Sequence, residues 1–367
     1  MNKNAIKKCA IWARNELIDR VSKKALRYGV SADGKADPKA ESVDGKILTE
    51  TERKQRTALI ARIAAHGYEQ TMEEVAYTWF NRFAALRFME VNGYLPSHVR
   101  VFTNDEGEFK PQILSEAIHL DLDGLNMDKV YELKNANKDE ELFKYLLIVQ
   151  CNALNKILPG MFQRIEDFTE LLLPDYLLRE GSVIEKMISE ISEDNFDVSS
   201  EDGQIEIIGW LYQYYISEKH EEVVDPLHGK VVKKEEVPAA TQLFTTDWVV
   251  RYLIDNSVGR YWIERNPGST LADKLTYFVK PKDGTIKTVN EKITPQDVTT
   301  FDPCVGSGHF LIYAFDVLMK IYVEYGYSER DAAAEIVKNN LFGLDIDGRA
   351  SQLAYFSLMM KARQIGR

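Results

Sequence analysis

The most constraining stretch of this 367-residue chain is Phe301-Asp302-Pro303-Cys304-Val305-Gly306-Ser307-Gly308-His309-Phe310. A short apolar run (Val298 to Phe301) enters it, and a long helix-periodic run (His309 to Tyr325) leaves it, so it reads as strand, tight turn and helix. Glycines lack a Cβ and accept positive φ, which lets the backbone of such a turn pass close to a ligand. The helix N-terminus adds free N–H groups and the positive end of a dipole. Position 311 is Leu, so this is not the G-x-G-x-x-G of dinucleotide sites, and no Gly-Lys-Ser/Thr follows to make a P-loop. Asp302 puts a carboxylate at the strand's end, where it suits a ligand ammonium. The bland reading is a strand–helix turn with no ligand.

A second helix (Ser328 to Asn339), a strand (Leu341 to Asp345) and a last helix (Arg349 to Arg363) follow. This order predicts α/β architecture, the βαβ start of a doubly wound sheet with only two strands. Asp345 ends the second strand, where dinucleotide folds bind ribose hydroxyls, and Asp347 reads as the cap of the last helix. Upstream, Gln242-Leu243-Phe244-Thr245-Thr246-Asp247 opens a helix predicted to run to Glu264. Thr245 or Thr246 serves there as a plain N-cap, or Thr245 meets a ligand carboxylate with Phe244 covering its aliphatic part. Residues 275–293 alternate apolar and polar residues like a hairpin.

The first 220 residues look different. Ile6, Ala10, Ala13, Leu17 and Val21 predict a helix over 3–28, and Ala76, Trp79, Phe80 and Phe83 mark a second helical block starting near Thr49. The expected organisation is a large helical domain (1–220), a charged connector (221–240) and an α/β part (241–367). The N-terminal helix carries Lys7, Lys8, Arg14, Arg20, Lys23, Lys24 and Arg27, which read as a solvated face or as phosphate contacts. The acidic run at 180–206 reads as solvated surface. The net charge of −11 counts against a chain that coats nucleic acid on every face. Three scattered cysteines and six unclustered histidines predict no disulfide framework and no metal site, and Cys304 is expected to pack and His309 to face solvent. No apolar stretch is long enough for a membrane helix and no secretory signal is present, which predicts a cytoplasmic chain.

Together the three segments around 242–246, 301–310 and 341–347 resemble the N-terminal part of gamma-type adenine-specific DNA methyltransferases. Motif X there precedes motif I (D-P-x-x-G-S-G) and motif II. Gln-Leu-Phe-Thr-Thr is similar to the Gln-x-Phe/Tyr-Thr-Pro of type I modification subunits, with Thr246 in place of proline. The stretches Glu74 to Glu90 and Ile208 to Tyr215 resemble the PglX methyltransferases of BREX phage-defence systems. The resemblance implies a Rossmann-like fold that binds S-adenosylmethionine, with double-stranded DNA and possible BREX proteins as partners of the complete protein. By it, Asp302 would engage the methionine amine, directly or through water, Pro303 would belong to the cofactor-binding turn, and Gly306 and Gly308 would let the cofactor lie on it. Phe310 would pack near it, Asp345 would hold the ribose, Ile346 the adenine, and Phe244 with Thr245 the methionyl end. The family's catalytic motif IV, Asn-Pro-Pro-Tyr/Phe, is absent from the sequence. The expectation is therefore a cofactor-binding N-terminal portion, inactive alone; the alternatives are a helical docking or cofactor-sensing module without catalysis, or, less favoured, an NAD-dependent oxidoreductase.

Overall fold

A computed structural model describes residues 2–163, 167–201, 204–224, 231–233, 236–242 and 245–366. The chain divides into two compact units, Met1–Tyr215 and Ile216–Arg367.

In the first unit, α1 (Lys3–Arg27) buries the Ile6, Ala10, Ala13, Leu17 and Val21 stripe against α3 (Tyr68–Val91). Between them a short hairpin pairs β1 (Ser42–Val43) with β2 (Lys46–Ile47). Asp44 and Gly45 both take positive φ there, as a tight antiparallel turn requires. Helix α2 (Glu50–His66) starts in a reciprocal capping box, Thr49 with Glu52. Short helices α4 (Gln112–Ser115) and α5 (Met127–Asn135) lie against α6 (Asp139–Leu154), and α7 (Phe168–Leu171) against α2. Helix α8 (Val183–Glu190) packs on α1, and the unit boundary falls within α9 (Ile207–Val223).

Helix α3 is the axis of this unit. Every residue from Trp79 to Glu90 is buried, so the helix is enclosed all round. Of its three buried charges, Arg82 donates to the Gln163 carbonyl at 2.8 Å and the other two pair: Arg87 donates to Glu90 at 2.7 Å, and Glu90 also accepts from the Val101 and Phe102 amides at 2.8 Å. Arg87 also reaches Glu193, which belongs to the acidic run. That run was expected to be solvated surface; Glu193 instead turns inward because two cations, Arg87 and Arg100, neutralise it. The basic face of α1 is mostly neutralised too. Arg14 pairs with Glu73, Arg20 with Glu16, Lys23 with Asp19, and Lys24 and Arg27 with Asp175, while Lys7 and Lys8 are exposed.

The second unit carries a short α10 (Val237–Thr241), then α11 (Asp247–Ile254) and α12 (Arg260–Arg265), joined through a π-helical turn at Asp255–Gly259. After α13 (Leu271–Lys274), residues 275–293 form no hairpin. They run as a strap with no ladder, tied near Tyr277 and Val279 by side chains of the π turn and of Arg260, and near Val289 and Glu291 by the Glu264 carbonyl and Arg265 of α12. Asp255 accepts from the Tyr277 amide, Asn256 accepts from the Val279 amide and donates to the Tyr277 carbonyl, and Arg260 donates to the Val279 carbonyl. Beyond the strap come β3 (Thr300–Asp302), α14 (His309–Tyr325), α15 (Glu329–Glu335) with a second π turn, β4 (Leu341–Gly343) and α16 (Gly348–Ile365). The strands pair in parallel, in the register Thr300 with Leu341, Phe301 with Phe342 and Asp302 with Gly343. Helix α14 supplies the centre of the core through Leu311, Phe315, Leu318 and Tyr322, and α16 packs beside it.

Candidate cofactor seat at the tips of β3 and β4

Because β3 and β4 are parallel neighbours, Asp302 and Asp345 leave the same end of the same sheet. The Leu344 amide donates to the Asp302 carbonyl at 2.9 Å, and the Val305 amide donates to the Leu344 carbonyl at 3.0 Å. These bonds extend the strand pairing and tie the glycine turn to the segment after β4.

Two carboxylates hold the turn. Asp302 Oδ1 accepts from the Cys304 amide at 3.0 Å, and Asp345 Oδ2 accepts from the Gly306 amide at 2.8 Å. Asp345 Oδ1 accepts from the Asp347 amide at 2.8 Å. Asp302 Oδ2 is buried and among the described residues has no hydrogen-bond partner, an expensive condition for a carboxylate oxygen unless something else donates to it.

Gly306 and Gly308 both take positive φ, at 53° and 94°. Their surroundings differ. Among the described residues a Cβ on Gly306 would meet nothing within 4 Å, so on that side the turn stands open to them. A Cβ on Gly308 would come within 3.1 Å of the Ala354 Cα, so that glycine lets α16 approach the start of α14. Pro303 is exposed, Ile346 is 71% exposed, and Phe310 is half-buried against the core.

Thr246 occupies the N-cap position of α11 but its side chain makes no capping bond. Thr245 is half-buried, and among the described residues no hydrogen bond joins it to the glycine turn. Phe244 lies outside the described residues. Asp347 caps α16 as expected, accepting from the Arg349 amide at 3.0 Å. Two expectations are corrected. Cys304 is exposed rather than packed, because its amide turns in to Asp302 and the side chain turns out. His309 is half-buried rather than solvent-facing, since it begins the helix that the sheet covers.

One contributor escaped the sequence reading. A Cβ on Gly343 would stand 2.9 Å from Val305 Cγ2 and 3.1 Å from Leu311 Cδ1. Its bareness lets the turn settle onto β4, and the signal available was a lone glycine inside a strand. Beside it, Val305, Leu311, Leu341, Ala354 and Tyr355 help to line an apolar cavity of about 220 Å³. No group of three or more metal-ligating side chains occurs among the described residues. No described helix is long and apolar enough to cross a membrane.

Residues 279–367, which contain the glycine turn with Asp302 and Asp345, match the MmeI DNA-methyltransferase domain family. The chain is 40% identical to the adenine-specific methyltransferase BrxX of Escherichia coli O9:H4, over 99% of this chain and 31% of that protein. It is 41% identical to the adenine-specific methyltransferase PglX of Lacticaseibacillus casei, over 100% of this chain and 33% of that one. A putative type II restriction enzyme and methyltransferase of Methanocaldococcus jannaschii is 24% identical over 80% of this chain and 25% of its own length. The chain thus spans about a third of the length of the first two relatives. Along its whole length, the chain is a homologue of PglX-type adenine-specific methyltransferases.

Proposed function

We propose that this chain is the cofactor-binding portion of a site-specific adenine-N6 DNA methyltransferase that takes its methyl group from S-adenosylmethionine and acts, in a bacterial cytoplasm, in phage defence. In this reading β3, α14 and β4 begin a Rossmann-like sheet. The observation that carries it is the polarity of the seat. In sites for pyrophosphate, backbone amides point at the ligand. Here the Cys304 and Gly306 amides are taken by Asp302 and Asp345, so the rim offers acceptors to a ligand. A ligand with an ammonium and ribose hydroxyls suits that rim; a dinucleotide's pyrophosphate does not.

The residues present fit the cofactor. Asp302 Oδ2 is the buried acceptor that the methionyl ammonium would satisfy, and the open space over Gly306 is the cradle. The lone pairs of Asp345 not used by Gly306 and Asp347 would take the ribose hydroxyls. The exposed Ile346 would lie against the adenine, and Thr245 with Phe244 would meet the methionyl end. When bound, S-adenosylmethionine supplies an electrophilic methyl group. The target adenine would be flipped from double-stranded DNA to meet it, and the groups that orient the base are not in this sequence, which has no Asn-Pro-Pro-aromatic.

Calorimetry with S-adenosylmethionine and with NAD tests the reading. Weak binding of the first and none of the second is expected, with a loss of about tenfold or more in Asp302→Asn. Binding of NAD alone would refute it. Incubation with methyl-labelled cofactor and adenine-containing duplex is expected to leave the DNA unlabelled when this chain is the only protein.

A further inference from the structure

We infer that Asp345 is a positioning residue for the glycine turn, and that it shapes the cofactor seat before any cofactor arrives. The inference rests on the reading above only for the name of the ligand. The bond itself joins two segments 39 residues apart in sequence, from the Gly306 amide to Asp345 Oδ2 at 2.8 Å.

The turn has few other ties. The Cys304 amide is held by Asp302, the Val305 amide by the Leu344 carbonyl and the Gly308 amide by the Val305 carbonyl. Gly306 sits at the top of the turn with open space around its missing Cβ, so no side-chain packing fixes it there. A glycine at positive φ with no packed neighbour has many conformations to choose from. The charge-assisted bond to Asp345 selects one of them. Asp345 is fixed in turn by the Asp347 amide, and Asp347 caps α16 and pairs with Arg349. The order is therefore α16 cap, Asp345, Gly306. A carboxylate that only bound ribose would need no contact with the turn.

The Gly306 and Asp347 amides bond to different oxygens of Asp345, and asparagine replaces one of those oxygens by an NH2 group, so in this geometry one of the two amides would face a donor. Amide hydrogen exchange of the ligand-free full chain reads the consequence. In Asp345→Asn, peptides covering 303–308 are expected to exchange about tenfold faster, with peptides of α1 and α3 unchanged. Exchange across 303–308 at the parent rate would overturn the inference. Should Asp345→Asn unfold, Asp345→Glu keeps the charge and lengthens the reach. Faster exchange confined to the turn would again support the role, and the parent rate would refute it. No ligand enters this measurement, so its failure is separate from a failure of S-adenosylmethionine to bind. A second readout separates positioning from ribose contact. In a magnetic-resonance titration with L-methionine, which has no ribose, Asp345→Asn is expected to weaken binding several-fold. Unchanged methionine binding beside weakened adenosine binding would leave Asp345 a ribose ligand only.

Discussion

The central helix of the first unit and the strand pair of the second place their aromatic residues in opposite ways, although both units enclose a core, the second around Trp262, Phe315 and Tyr322. In the first, Trp79, Phe80, Phe83 and Phe88 stand on one helix and all are enclosed, and the buried Arg87 and Glu90 complete each other. In the second, the only parallel strand pair among the described residues carries its aromatic residues outward. Phe301 is 60% exposed and Phe342 48%. Parallel strands are almost always covered on both faces, because their crossovers put helices there. Here α14 covers one face, and among the described residues the other is open at Phe301 and Phe342. The first unit's central helix is thus closed on every side, while the second unit has a core on one side of its strands and presents a surface on the other.

The largest expected effect lies where enclosure is complete. Phe83→Ala in α3 should cost about 3–5 kcal/mol of unfolding free energy, as for other buried aromatic truncations. Arg87→Ala should cost a similar amount by leaving Glu90 without its buried counter-charge. Urea unfolding followed by tryptophan fluorescence measures both. A loss under about 1 kcal/mol for either would break the contrast, since the first unit's core would then be no tighter than its surface.

The next effect sits at the seat. Gly308→Ala forces a side chain into φ 94° and against the Ala354 backbone, so α16 must retreat from α14. About 1–3 kcal/mol is expected from strained backbone of this kind. Thermal unfolding should register it, with protection from proteolysis falling in residues 300–366 and not in α3. An equal loss in both units would mean that they unfold as one.

A smaller, pH-dependent effect belongs to the first unit. Burial of the Glu52 carboxyl opposes its ionisation, but the Lys46 ammonium, the Thr49 backbone N–H and the Tyr28 hydroxyl outweigh that and bring its pKa down to about 2. The folded value lies below the unfolded one of about 4.3. The stabilisation is therefore present above that value and disappears as the pH falls toward 2. Glu52→Gln should flatten the acid limb of the stability curve between those limits. A parallel limb in the variant would show that the Thr49 cap holds α2 without the charge.

The comparison also separates what the sequence carried from what it did not. Helix α1, helix α3 and the strand–turn–helix around Gly306 were legible because period and glycine placement are local. Asp347 as a cap was legible for the same reason. The hairpin expected at 275–293 was not there, because alternation alone does not distinguish a ladder from a strap that borrows partners. Those partners, Asp255 and Asn256 on a π turn and Arg260 at the start of α12, form a group that no pattern announced. The β1–β2 hairpin was missed because four strand residues leave almost no pattern. The inward turn of Glu193 depends on Arg87 and Arg100, cations about a hundred residues away in sequence. The role of Gly343 needed the register of two strands to be known first.

The smallest expected change in stability is the one that sharpens the contrast most. Phe301 and Phe342 are register partners, so their side chains stand next to each other on one face of β3 and β4. If the face is open in solution, replacing both by serine removes little that folding had buried, and the unfolding free energy should move by less than about 0.5 kcal/mol. Exposed apolar patches of this kind mark interaction surfaces or promote association. The Phe301→Ser, Phe342→Ser chain should therefore bind less hydrophobic dye and self-associate less by light scattering. The Cys304 and Gly306 amides lie beyond the strand ends, so exchange across 303–308 should stay at the parent rate. A loss of 2 kcal/mol or more would show that the face is covered in the isolated chain. The second unit would then be as closed as the first.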